Sequence, residues 1–93
     1  MSYRVAISEL AQLGIERHKR SGNKKLVEKI FKLFVEISEH PRSGTGQVEQ
    51  LKGYADREVW SRRIDKKHRL IYEVKEAELV VIAISTYGHY GDK

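Results

Sequence analysis

Glu49, Arg69 and His89 are three ionisable residues whose types could carry chemistry, by moving protons or by holding an anion. A carboxylate can take a proton, and a histidine can give one up near neutral pH. Arginine stays charged and presents two parallel N–H groups to phosphate oxygens, which lysine does not. Each residue also has an ordinary reading. Arg69 opens a strand directly after a basic turn, where a solvated surface charge is equally at home. His89 follows the most apolar segment of the chain and fits an exposed position. Glu49 is a lone glutamate in Val48-Glu49-Gln50-Leu51, after a glycine-bearing loop. None of the three decides the chemistry alone.

Competing chemistries have less to stand on. The histidines His18, His40, His68 and His89 show no ligand spacing and no dense carboxylate cluster accompanies them, so no metal or other cofactor is expected. Gly44-Thr45-Gly46 lacks a following Gly-Lys-Ser/Thr and a preceding strand, so it is not a phosphate-binding P-loop. No Gly-x-Ser-x-Gly turn supports a serine nucleophile. The absence of cysteine excludes disulfides, thiolate zinc sites and a cysteine nucleophile, and gives no sign of secretion.

The elements that must position these residues follow from periodicity. Tyr3–Ile7 alternates and reads as a short strand. Ser8 is a suitable N-cap for a helix over Glu9–Lys19, in which Leu10, Leu13 and Ile15 form a thin apolar set and Gly14 weakens the helix by about 1 kcal/mol against Ala. Ser21-Gly22-Asn23 is a turn, and Asn23 caps a second helix. Leu26, Val27, Ile30, Phe31, Phe34 and Ile37 recur there at three- and four-residue spacing, with Phe31 and Phe34 read as core. His40-Pro41 ends it, because the residue before proline is pushed out of the helical region. Arg42–Gln47 reads as a loop. Strands follow over Glu58–Ile64, Arg69–Val74 and Leu79–Thr86, joined by turns at 65–68 and 75–78 of hairpin length. The order β-α-α-β-β-β predicts an α+β fold: an antiparallel sheet with both N-terminal helices packed on one face. The last strand, apolar from 79 to 84, is expected to be central and covered on both sides.

At 93 residues the chain is expected to form one domain over 1–93, burying roughly 60–70% of its unfolded surface. Eighteen Lys and Arg against 13 Asp and Glu give +5, an excess that favours a polyanionic partner. Two basic concentrations stand out: Arg17, Lys19, Arg20, Lys24 and Lys25, and then Arg57, Arg62, Arg63, Lys66, Lys67 and Arg69. The longest apolar run, 79–84, is far short of the roughly 20 residues that span a bilayer, and the first residues carry no signal-peptide pattern. A cytoplasmic protein without membrane contact is expected.

Glu49-Gln50-Leu51-Lys52-Gly53, Trp60-Ser61-Arg62-Arg63-Ile64, His68-Arg69-Leu70-Ile71-Tyr72 and the later His89-Tyr90 resemble the YoeB/Txe family, toxins of bacterial type II toxin–antitoxin pairs within the RelE superfamily. The resemblance implies a RelE-like, microbial-ribonuclease-like sheet and an endonuclease, an mRNA interferase, that cuts mRNA in the A site of the 70S ribosome. It implies Glu49 as general base, Arg69 as the residue that steadies the phosphate, and His89 as general acid assisted by Tyr90. Lys52 and Arg63 match basic positions that the family uses around the scissile phosphate or on ribosomal RNA. Arg62, Lys66 and Lys67, from the same basic concentration, are assigned with them to RNA binding. The resemblance further implies a cognate antitoxin of the YefM/Phd kind and admits a homodimer.

The implied reaction needs a proton removed from a 2′-hydroxyl, a crowded phosphorane stabilised, and the leaving 5′-oxygen protonated; its dependence on the 2′-hydroxyl confines it to RNA. Two other readings stay open at this point: a non-catalytic basic module that binds nucleic acid, and a gyrase-inhibiting toxin of the same fold, a branch whose members generally lack the Glu/Arg/His set.

Overall fold

The computed structural model describes residues 2–88, so His89 and Tyr90 lie outside the described residues. Strand β1 (Arg4–Ile7) runs through Ser8 into helix α1 (Glu9–Arg20). The Ser8 hydroxyl oxygen accepts the Ala11 amide at 3.1 Å, capping α1, and donates to the Ile84 carbonyl at 3.0 Å, tying the helix start to the sheet. After the turn, Asn23 Oδ1 accepts the Leu26 amide and opens helix α2 (Lys24–Glu39). That helix stops at His40, whose φ of −137° leaves the helical region ahead of Pro41. Four strands follow: β2 (Glu49–Gln50), β3 (Glu58–Arg63), β4 (Arg69–Lys75) and β5 (Val80–Ser85).

The sheet order is β1-β5-β4-β3-β2, and two expectations change. The sheet is mixed, not antiparallel throughout, because β1 pairs parallel with β5, Val5 opposite Val81. Alternation over Tyr3–Ile7 marks two faces but carries no direction, and the partner strand is more than 70 residues away. The sheet also has a fifth strand, β2, whose two residues are too short a run to show any period. The hairpins β3–β4 and β4–β5 are antiparallel as expected. The middle strand is β4; β5 is interior beside it, with Val80, Val81 and Ala83 buried.

Both helices cover one face. Leu70, Tyr72 and Val74 of β4 and Val81 and Ala83 of β5 meet Ala11 and Ile15 of α1 and Leu26, Ile30, Leu33, Phe34 and Ile37 of α2. The buried stripe of α1 is Ala11, Gly14, Ile15 and His18, whereas Leu10 and Leu13 are 61% and 53% exposed. Gly14 lies closest to the chain beyond β5, and this contact sets the rotation of the helix. Phe31, read as core, is 44% exposed and stands edge-on to buried Phe34 at 5.6 Å. No helix among the described residues is long and apolar enough to cross a membrane.

Candidate active site

The face of the sheet turned away from the helices is set by parity. Trp60, Arg62, Leu70 and Tyr72 point to the helices, so Ser61 and Arg63 of β3 and Arg69 and Ile71 of β4 point the other way. Arg63 stands directly opposite Arg69 in the β3–β4 register, and Ser61 opposite Ile71. Glu49 is paired with Ser61 from β2 and therefore shares that face. It is a diagonal neighbour of Arg63, about 7–8 Å away and within reach of long side chains. Ser61 and Ile71, 2% and 1% exposed, form the floor between the carboxylate and the arginines.

Gly46 brings Glu49 to this position. Its φ of +94° suits glycine, and its carbonyl accepts the Arg63 amide at 2.5 Å. A Cβ at Gly46 would lie 2.8 Å from the Arg63 carbonyl oxygen, so only glycine lets the loop come this close to β3.

Two like charges opposite each other on neighbouring strands repel, and among the described residues no carboxylate pairs with either. Arg63 Nε donates to the Asp65 carbonyl at 3.3 Å, and neither arginine enters an ion pair among the described residues. Arg69 Nη1 is buried without a hydrogen-bond partner among those residues. A buried guanidinium nitrogen left unpaired is a donor waiting for an acceptor, and a phosphate oxygen supplies one. Lys66 and Lys67 are exposed in the turn between β3 and β4, at the same end of the strands. Asp65 organises that turn: its Oδ1 accepts the amides of Lys67 and His68, each at 2.8 Å. Burial pushes the Asp65 carboxyl up, but the hydrogen bonds from those two amides work against it, and the group sits below its ordinary value.

The remaining assignments divide. Lys52 is exposed but lies beyond the other end of β2, where Leu51 donates its amide to Val59, so it is not brought together with Arg63 and Arg69. It edges a hollow of about 410 Å³ with Gln50 and Tyr54. Arg62 is corrected: it does not face RNA. Its side chain is fully buried on the helix face, with Nη1 on Glu36 at 2.7 Å and Nη2 on the carbonyls of His40 and Ser43 and on the Tyr72 hydroxyl. Parity from Trp60 places it inward. Its neighbour Arg63, one residue on, faces out.

The sequence reading did not single out the aromatic group beside this site. His18, only 2% exposed, meets the His68 ring edge-on at 4.6 Å and the Tyr87 ring at 4.8 Å. The spacing Ala11, Gly14, Ile15, His18 carried the signal, since it puts His18 on the buried stripe of α1. Past this group the described chain ends at Gly88, whose carbonyl accepts the Arg69 amide at 3.0 Å.

Residues 16–90 match the family described as YoeB-like toxin of bacterial type II toxin–antitoxin system. Toxin YoeB of Streptomyces coelicolor is 37% identical over 65 residues, covering 70% of this chain and 76% of that protein. Among solved structures, the YoeB/ParE toxin from Agrobacterium tumefaciens superposes with a TM-score of 0.83 at 30% identity, over 94% of this chain and 99% of that one. YoeB of Staphylococcus aureus superposes as a dimer with a TM-score of 0.80 at 28% identity, and in its complex with YefM with 0.76 at 30%, each over 97% of this chain and the whole of that one.

Proposed function

This chain belongs to the YoeB-like toxins of bacterial type II toxin–antitoxin systems, and from that premise we propose that it is a ribosome-dependent mRNA endonuclease acting in the cytoplasm. The observation that carries the reading is the Arg63–Arg69 pair on the open face, with Arg69 Nη1 unsatisfied and Glu49 one row away. A substrate phosphate seated between the two guanidinium groups relieves their repulsion and accepts the orphaned N–H. Glu49 takes the proton of the 2′-hydroxyl, whose oxygen attacks phosphorus. Arg69 and Arg63 hold the phosphorane as negative charge develops on it. The bond to the 5′-oxygen breaks, and His89 gives that oxygen its proton with Tyr90 beside it, leaving a 2′,3′-cyclic phosphate and a 5′-hydroxyl. Lys66 and Lys67 add cationic grip on ribosomal RNA at the same end of the sheet.

Neutralisation by a YefM/Phd-type antitoxin, an acidic protein that folds over the site, is part of the same proposal, supported by the YefM complex of the S. aureus relative. The dimer of that relative supports a homodimer here in the same way. The test is primer extension on a reporter mRNA in a translation extract. Wild type cuts the message only while it is translated, and Arg69→Ala and His89→Ala each slow cutting by about 10²–10³-fold. Variants that cut at the wild-type rate overturn the site assignment, and ribosome binding without any product turns the reading to a non-catalytic basic module.

A further inference from the structure

The last three described residues before His89 are each gripped by side chains of other elements. Thr86 Oγ1 donates to the Ala11 carbonyl of α1 at 2.8 Å, and its own carbonyl accepts His18 Nε2 at 2.9 Å. The Tyr87 ring lies 4.6 Å from the His68 ring and under the Arg17 guanidinium at 3.8 Å. Gly88 donates its amide to His68 Nδ1 at 2.9 Å. Helix α1 and the β3–β4 turn therefore converge on the peptide that leads into His89.

The direction of the Gly88 bond defines the state of the imidazole. A backbone amide can only donate, so His68 Nδ1 is an acceptor and the ring is neutral with its proton on Nε2. A carbonyl can only accept, so His18 donates from Nε2. We propose that His68 is a positioning residue for the cleavage reaction: its neutral Nδ1 holds the Gly88 amide and so fixes the peptide that leads into His89, the same peptide whose carbonyl accepts the Arg69 amide. This rests on the reading of His89 as general acid. Protonation puts a hydrogen on Nδ1, which then faces the Gly88 N–H donor to donor, and the bond is lost. The groups around the ring act in opposite senses. Asp65, whose carboxylate accepts the His68 amide, favours the charged ring. Buried His18 and Arg17 of α1 and the following Arg69 disfavour it, while Tyr87 packs against it as a neutral wall. Activity is accordingly switched off on the acid side by a group other than Glu49 or His89.

Three variants and one spectrum test this. His68→Ala lowers kcat by roughly 10–100-fold through misplacement of the acid, with ribosome affinity unchanged. His68→Asn, whose Oδ1 stands where Nδ1 stood, recovers most of that loss. It also lacks the acid-side inflection that protonation of His68 gives the wild type. Gly88→Pro, which deletes the donated N–H and cannot hold the φ of +88° at this position, loses at least as much as His68→Ala. In the free protein, long-range 1H–15N correlation finds His68 Nδ1 unprotonated, and the Gly88 amide proton moves as that ring titrates. A His68→Ala rate equal to wild type, an unchanged acid limb in His68→Asn, or a Gly88 amide indifferent to the titration overturns the proposal. The spectrum needs no ribosome, so a wild type that never cleaves defeats the endonuclease reading while the hydrogen bond is still decided by the amide shift.

Discussion

Arg62 and Arg63 are adjacent cations with opposite fates, and the contrast is testable residue by residue. Arg62 is wholly buried and satisfies Glu36, two carbonyls and the Tyr72 hydroxyl. Arg62→Met removes the only cation among these acceptors, and a destabilisation of about 3 kcal/mol is expected in urea unfolding. Arg63 faces Arg69 across the strands, so Arg63→Gln relieves a repulsion. It should leave the unfolding midpoint unchanged or slightly raised while cleavage falls about 10²-fold. Equal midpoints for the two variants would remove the distinction between a buried structural arginine and one on the face turned away from the helices. Glu49, Arg63 and Arg69 were legible in the sequence as residue types in recognisable segments, and the register brings them to one face. Arg62 was misread because charge was weighed ahead of parity. Strand alternation from Trp60, a residue that packs on the core, already pointed it inward.

At the scale of elements, α1 is placed by a glycine that propensity alone makes look like a flaw. A Cβ on Gly14 would meet Thr86 Oγ1 at 2.3 Å and the Tyr87 Cβ at 3.1 Å, so the helix can approach the end of β5 only without a side chain there. In an isolated helix Gly→Ala stabilises by about 1 kcal/mol. Here Gly14→Ala should destabilise by about 1–3 kcal/mol, because α1 must back away from Thr86 and give up the Ala11 carbonyl and His18 contacts. A calorimetric Tm that rises in Gly14→Ala would refute this placement of the helix. Helix boundaries and the two hairpins were legible because caps, Pro41 and alternation are local signals. Which side of α1 is buried was not. Leu10 and Leu13 are the larger hydrophobes, but close packing against β5 selects the small line of Ala11 and Gly14. The parallel pairing of β1 and the two-residue β2 were equally hidden, since both depend on partners distant in the chain.

Over the whole molecule, the +5 charge is divided by what the acids are doing. Glu36, Glu58, Glu73 and Glu76 are paired with Arg62, Arg42, Arg57 and again Arg42, so these four carboxylates tie elements of the fold together while Arg63 and Arg69 enter no ion pair among the described residues. Total charge was readable from composition; this division required the fold. It makes the protein acid-labile in a definite way. Burial pushes the Glu36 carboxyl up, but hydrogen bonds from the Thr45 hydroxyl, Arg62 and the Thr45 amide outweigh it, and the group sits below its ordinary value. Arg42 and Trp60 do the same for Glu58 against its burial. A carboxyl whose folded pKa is depressed contributes stability that is fully present above its unfolded value, about 4.3, and lost as the pH falls through the folded value. Each proton bound also adds to an already positive molecule, so self-repulsion grows over the same range. Glu36→Gln isolates one contribution, because glutamine resembles the protonated acid. The unfolding free energies of wild type and Glu36→Gln should differ by about 1 kcal/mol at pH 7. That gap should narrow as the pH falls below the unfolded value and through the depressed folded value, where wild-type Glu36 is itself being neutralised. A gap constant over that fall would mean that Glu36 acts through shape and not through its charge on Arg62.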